Sequence, residues 1–361
     1  MSEQEALQAV RGRIDAIDRE LLRLLNQRAE CALEVARIKH AAGQGADLYR
    51  PEREAQVLRK IRELNPGPLS GDEAARLFRE VMSSCLALEQ PITVAYFGPE
   101  GTYTHTAARK HFGGAAHLKP AASIEEVVRS VESRAAEFGV VPVENSLEGA
   151  VNQTLDCLRE SSLRICGEVL LEVHHQLLGH AASVADLREV HAHPQALAQC
   201  RHWLDANCPQ AQRVPATSNA EAARLVGTNP HAAAIAGEMA ASIYDLPILA
   251  RNIEDDPSNT TRFLVMGHLN VGASGADLTS MQFMVRNRPG ALHQILAAFA
   301  DENISLTRIE SRPGRERKWE YVFFVDIEGH ETDAPVARAL ARVADSTSVL
   351  RILGSYPRAA L

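Results

Sequence analysis

The sequence predicts a multidomain protein of three modules in series: an all-α segment, a two-lobed α/β segment and a small α+β segment. Three observations carry this. Apolar residues recur at helical spacing, with no strand signal, through residue 90. From residue 92 short apolar runs alternate with helical patterns, and after the small-residue stretch 271–276 the order becomes strand, helix, strand, strand, helix, strand. A chain of 361 residues, 45% of them apolar, is long enough to bury a core in each module. The expected boundaries are 1–91, 92–271 and 278–361.

Composition removes several classes of function. The formal net charge of −8 argues against affinity drawn from nucleic-acid phosphates and leaves small acidic ligands open. The first ten residues have no basic or apolar leader, and no run of 18 apolar residues occurs, so a cytoplasmic protein without a membrane partner is expected. Six scattered cysteines without CxxC spacing read as reduced, mostly buried thiols. His174-His175 and the pair His191 and His193 lack carboxylate or cysteine partners at ligand spacing, so no metal is expected and core or solvated histidines are the reading. With neither GxGxxG nor GxxxxGK[ST], no nucleotide cofactor is expected.

In the first module, Leu7, Val10, Ile14, Ile17, Leu21, Leu24, Cys31, Val35 and Ile38 mark one long helix. Arg28 falls on its apolar seam, a permanent cation that is costly there unless an anion meets it. Lys39, three turns on, shares that face. Arg11 is about 25 Å from Arg28 along a straight helix, beyond the reach of one small metabolite. Antiparallel pairing of two copies would bring Arg11 of one to the Arg28 end of the other; alternatively Arg11 is an exposed charge and Arg28 pairs with an internal carboxylate. A break at Gly43 and Gly45, a second helix from Pro51 and a third capped by Asp72 and running to Glu89 complete the module. Three helices alone enclose little core, which favours an intertwined dimer.

RIDAIDRELLRLLNQR, VARIKH, PERE and LFREVMSSCLALEQ resemble an all-helical chorismate mutase of the intertwined-dimer type. The resemblance implies that Arg28, Lys39, Arg53, Glu54 and a partner's Arg11 bind chorismate. The sequence departs from the family at Arg50, Cys85 and Glu89, where many members have Asp, Ser and Gln. Cys85 and Glu89 are four apart on one helix face. A Glu at 89 donates to the substrate's ether oxygen only when protonated, which burial favours and nearby cations oppose.

The second module is organised around residues 138–156, FGVVPVENSLEGAVNQTLD. A strand ends at Glu144, Asn145 and Ser146, and a helical pattern is expected to open at Glu148-Gly149, a junction suited to an anionic ligand. A turn that only caps a helix is the plainer alternative. A hydroxyl-rich helix start, GPEGTYT with Thr102 and Thr104, points the same way. A second set of strands and helices follows, including a helix over 195–206, and the chain returns through NTTRFLV, which suggests a cleft between two lobes.

GPEGTYT, GVVPVENSLEGAVN, HPQALAQC, SNAEAA and NTTRFLV occur in the order found in prephenate dehydratases, and the segment resembles that family. The resemblance implies a two-lobed fold of the periplasmic-binding-protein type, Thr261 as general acid, and Glu144, Asn145, Ser146, Gln199 and Arg262 as substrate-positioning residues. Prephenate and arogenate differ by one group that spacing does not distinguish.

The βαββαβ order of the third module is that of a ferredoxin-like fold. RPGAL (288–292, beginning at Arg288) and ESRP (310–313) resemble the regulatory ACT module, which implies phenylalanine binding by Gly290, Ala291, Leu292, Glu310, Ser311 and Arg312 at an interface between copies. Together the resemblances imply a homodimeric or larger bifunctional enzyme that converts chorismate through prephenate to phenylpyruvate under feedback by phenylalanine. The alternative keeps the dehydratase and makes the N-terminal helices a dimerisation scaffold.

Overall fold

The structure is a computed structural model that describes residues 2–41, 49–285, 289–313 and 321–359. The expected break at Gly43 and Gly45, Arg288, and a turn at Gly314 and Arg315 lie outside the described residues. The chain divides into two compact units.

The first unit is helical and, of the described residues, contains 2–41, 49–50, 57–92 and 112–116. Helix α1 (Glu3–Ala41) is one continuous rod, as the periodicity requires. Helix α2 (Pro51–Leu64) begins with proline at its first position, although residues 51–56 group with the second unit. Helix α3 (Gly71–Glu89) is capped by Ser70, not Asp72: the Ser70 hydroxyl accepts the Glu73 N–H at 3.1 Å. Asp72 instead accepts a hydrogen bond from Arg62 at 2.7 Å. Leu7, Val10, Ile14, Ile17, Leu21 and Leu24 of α1 are all exposed by roughly half their surface in the single chain.

The second unit contains two α/β lobes and a terminal α+β module. In chain order the first lobe starts with β1 (Thr93–Phe97), α4 (Tyr103–Phe112), β2 (His117–Ala121), α5 (Ile124–Glu132), β3 (Phe138–Asn145), β4 (Gly149–Ala150), α6 (Asn152–Glu160) and β5 (Arg164–Glu172). The second lobe is β6 (Gln176–Gly179), β7 (Glu189–Ala192), α7 (Pro194–Gln199), α8 (Arg201–Asn207), β8 (Gln212–Pro215), α9 (Asn219–Val226), β9 (Ala232–Ala236), α10 (Glu238–Ile243) and β10 (Ile248–Ala250). Strand β11 (Thr260–Gly267) then returns to the first sheet, whose order is β2-β1-β3-β11-β5, while the second sheet runs β10-β6-β9-β7-β8. The single helix expected over 195–206 is two, divided at Cys200.

The junction after β3 also differs from the expectation. No helix opens at residue 148. The Asn145 carboxamide oxygen takes the backbone N–H groups of Leu147 and Glu148, an Asx turn, and Gly149, at φ +80°, reverses the chain into β4. Helix α6 starts only at Asn152.

The terminal module has the expected order: β12 (Asp277–Met284), α11 (Ala291–Asp301), β13 (Leu306–Pro313), β14 (Tyr321–Glu328), α12 (Ala334–Ser346) and β15 (Val349–Pro357), in an antiparallel sheet β13-β14-β12-β15. One sheet face packs Met281, Phe283, Val325 and Ile327 against Ile295, Phe299, Val336 and Val343 of the helices. The other face contributes Leu278, Val322, Phe324, Leu353 and Tyr356 to the same buried cluster as Val143, Leu155, Ile165 and Leu264 of the first lobe. At Gly354 the backbones come so close that a Cβ would overlap the Ile165 carbonyl.

Candidate active site

In the helical unit, Arg28 and Lys39 of α1 are half-buried and within electrostatic reach of Glu89 on α3. Burial raises the Glu89 carboxyl above its ordinary pKa, against the opposing pull of Lys39 and Arg28. Cys85 is buried one turn earlier on the same helix. Arg11 is exposed on α1, and Arg50 is exposed just before α2. Arg53 and Glu54 lie in residues 51–56, which belong to the second unit.

The α/β lobes enclose a cavity of about 400 Å³. The first lobe supplies Thr102, Tyr103 and Thr104 from the start of α4, Asn145 from β3, residues 148–151 of the hairpin, and Thr261 and Phe263 from β11. The second lobe supplies His193, Gln199, Ser218, Asn219 and Gly237. Three of these are N-caps: His193 of α7, Ser218 of α9 and Gly237 of α10. Helix N-termini carry partial positive charge, so the wall favours anions. No Arg or Lys is among the described lining residues.

Thr261 and Asn145 sit opposite each other in the β3/β11 ladder. Asn145 Nδ2 donates to Thr261 Oγ1 at 2.9 Å and to Asn259 Oδ1 at 2.7 Å, while its Oδ1 is taken by the turn. With Oγ1 accepting from Asn145, the Thr261 hydroxyl hydrogen is left to point at a ligand in the cleft. That is the arrangement a weak hydroxyl acid requires. Thr102 has a different use: its hydroxyl donates to Pro99 O at 3.0 Å and accepts from the His105 N–H at the start of α4.

Three of the residues expected to touch substrate lie elsewhere. Successive strand residues face opposite sides of a sheet, so with Thr261 and Phe263 in the cleft Arg262 points away. Its guanidinium is buried among Glu168 at 2.7 Å, Asp326 of β14 at 2.6 Å and the Tyr356 hydroxyl of β15 at 2.9 Å. Glu144, beside Asn145 and opposite Arg262 in the ladder, likewise turns back and pairs with Arg308 of β13 at 3.0 Å. Ser146 closes the turn, accepting the Thr260 N–H at 3.0 Å. The expectation that Arg262, Glu144 and Ser146 grip the substrate is corrected on this geometry: none of them lines the cavity.

Other groups do line it. His175 is 2% exposed; its Nε2 is 2.9 Å from Gln199 Oε1 and its Nδ1 2.8 Å from the Tyr103 hydroxyl. Burial lowers its pKa and keeps it neutral. Its neighbour His174 goes the other way, raised by its hydrogen bond to Glu254 at 2.7 Å. Reading the pair as core or solvated histidines missed the one that borders the cleft, because nothing local distinguishes 175 from 174. Asn259 lies within the NTTRFLV stretch but its link between Asn145 and Gln199 is a long-range contact. Among the described residues no group of three His, Cys, Asp or Glu side chains is placed to hold a metal ion.

In the terminal module Gly290 caps α11 with φ +80° and open space where a side chain would sit. Ala291 and Leu292 begin that helix. Glu310 and Arg312 share the half-buried face of β13, and Ser311 the exposed one. Arg312 pairs with Asp156 of α6 at 3.1 Å.

Comparison with known proteins finds three families along the chain. Residues 10–90 match the type II chorismate mutase family, 94–270 the prephenate dehydratase family and 279–345 the ACT domain family. A bifunctional chorismate mutase/prephenate dehydratase of Pseudomonas aeruginosa is 52% identical, and one of Stutzerimonas stutzeri 53%, each over the whole of both chains. A solved prephenate dehydratase from Arthrobacter aurescens, in complex with L-Phe, superposes with a TM-score of 0.69 at 35% identity, covering 74% of this chain and 90% of that one. The chain, with its helical, two-lobed and ACT modules, therefore belongs to the bifunctional chorismate mutase/prephenate dehydratase family.

Proposed function

We propose that the chain rearranges chorismate to prephenate in its helical unit and converts prephenate to phenylpyruvate in the cleft between the α/β lobes. The first reaction is pericyclic, so it requires only that cations such as Arg28, Lys39 and the partner subunit's Arg11 hold a compact conformer. Protonated Glu89 then meets the charge developing on the ether oxygen. In the second, loss of the ring carboxylate as CO2 and of the ring hydroxyl as water is driven by aromatisation. Thr261, oriented by Asn145, donates to the departing hydroxyl; Thr104 and Gln199 hold the remainder, with helix N-termini meeting the carboxylates. The observation that carries this reading is the Thr261 hydroxyl, whose hydrogen bond from Asn145 leaves its own hydrogen for the cleft.

Two finer statements belong to the same reading. The chain works as a homodimer or larger assembly, supported by the apolar stripe along α1 that the single chain leaves exposed and by the span from Arg11 to Arg28. Phenylalanine inhibits by binding the ACT module at 290–292 and 310–312, supported by the L-Phe complex of the Arthrobacter aurescens relative. A cytoplasmic location fits the cysteine pattern.

The test follows chorismate loss and phenylpyruvate appearance separately on purified protein, with and without phenylalanine. Conversion of chorismate to phenylpyruvate, with the second step suppressed by phenylalanine, supports all three assignments. Conversion of supplied prephenate alone overturns the mutase assignment and leaves the helices a scaffold.

A further inference from the structure

Tyr103 and His175 have no part in the reaction as described, yet they end an unbroken hydrogen-bonded chain that begins at Thr261. The direction of the hydrogens from Asn145 to His175 Nε2 follows from two backbone amides. The N–H groups of Leu147 and Glu148 can only donate, at 3.1 and 3.2 Å, so the Asn145 atom facing them is its carbonyl oxygen. Asn145 Nδ2 therefore donates, and Asn259 Oδ1 accepts from it at 2.7 Å. Asn259 then presents Nδ2 to Gln199 Oε1 at 3.4 Å, which orients the Gln199 amide in turn. His175 Nε2, 2.9 Å from the same oxygen, carries the hydrogen. A neutral imidazole with its hydrogen on Nε2 has an acceptor at Nδ1, and the Tyr103 hydroxyl at 2.8 Å supplies that hydrogen. The hydroxyl has one hydrogen and two acceptors, Nδ1 and His174 O at 2.8 Å, so it shares that hydrogen between them.

The result converges on one atom. With Oε1 held by both His175 and Asn259, the Gln199 Nε2 atom is buried in the wall of the cleft with both hydrogens unused. A buried donor without a partner is unfavourable unless a ligand completes it. We propose that Tyr103 and His175 are positioning residues of the dehydratase. They hold the Nε2–H tautomer of His175, which fixes the Gln199 amide and aims its nitrogen at a carboxylate or carbonyl oxygen of the substrate. This rests on the proposed prephenate chemistry of the cleft.

The test is a double-mutant cycle in the full chain, with mutase turnover as the internal control for folding. His175→Leu is expected to lower kcat/KM for prephenate about tenfold or more, chiefly through KM. In a Gln199→Leu background the same substitution is expected to change it less than twofold, because His175 acts through Gln199. His175→Gln, which can present an N–H toward Gln199, is expected to recover part of the loss, and Tyr103→Phe to give a smaller loss of the same kind. Independently of turnover, nitrogen NMR of labelled histidine is expected to show His175 protonated at Nε2 and bare at Nδ1. Losses that multiply in the double mutant, or a hydrogen on Nδ1 in the wild type, overturn the proposal. Wild-type protein without turnover of prephenate would overturn the functional reading instead, while the NMR result would still decide the tautomer.

Discussion

At Thr261 the chemistry depends on one hydrogen, and Asn145 decides where it points. Thr261→Ala is expected to lower dehydratase kcat by about 10²–10⁴-fold, the range for loss of a positioned proton donor, with mutase turnover unchanged. Steady-state kinetics on prephenate check it; a loss below tenfold would remove Thr261 from that role. Glu89 gives a second prediction at this scale. Burial raises its pKa, so the protonated form persists to higher pH than for an ordinary carboxyl, and mutase activity falls as pH rises through that pKa. A mutase pH–rate profile from 5 to 8 should decline for the wild type and flatten in Glu89→Gln. Much of this site was legible in the sequence: Thr261, Asn145, Gln199 and Thr104 all line the cleft. Arg262 also could have been placed, since a strand that turns Thr261 and Phe263 inward must turn Arg262 out. His175 could not, because its value comes from Gln199 and Tyr103, 24 and 72 residues away.

Strands and helices show where local pattern suffices and where it does not. Helix α1 was legible because its 3–4 spacing persists over its whole length, and α2 because proline marks its first turn. The start of α6 was misplaced because Gly149 was read as part of a helical opening. An Asx turn and a glycine with positive φ instead make a hairpin there. The split at Cys200 has no punctuating glycine or proline to announce it. For α1 the exposed stripe yields a prediction: Leu21→Glu, at a position 51% exposed in the single chain, should dissociate the proposed homodimer. Sedimentation velocity should report the smaller species, and mutase turnover should fall with it, since Arg11 would no longer reach the opposite site. An unchanged sedimentation coefficient would remove that face from the interface.

Across the whole molecule, β3 and β11 have a front and a back that do different work. Their fronts carry Asn145 and Thr261; their backs carry Glu144 and Arg262, which meet Arg308 and Asp326 of the ACT sheet. The sequence indicated a domain boundary at 271–276 but not that the two domains share a buried cluster, since Val143, Leu155 and Ile165 lie more than a hundred residues before Leu278. The proposed inhibition by phenylalanine would therefore have a short structural route, from β13 through Arg308 to the strand that holds Asn145. Arg308→Gln is expected to raise the phenylalanine concentration for half-inhibition at least threefold while calorimetric affinity for phenylalanine stays within twofold. Parallel changes in both would place Arg308 in ligand binding instead of coupling.

The buried ions behind β11 also bear on how such a protein can be rebuilt. Arg262 is charged and enclosed, and taking away one partner of a buried pair costs about 3–5 kcal/mol. The ACT module is keyed: a graft onto another dehydratase would have to bring Ser280, Asp326 and Tyr356 and find an arginine waiting at the matching strand position. It would also need a glycine where Gly354 slides past Ile165. Chimaeras lacking that lock should fold poorly even with an intact linker and an intact amino-acid site, so exchange of regulation between relatives is limited by the back of a catalytic strand.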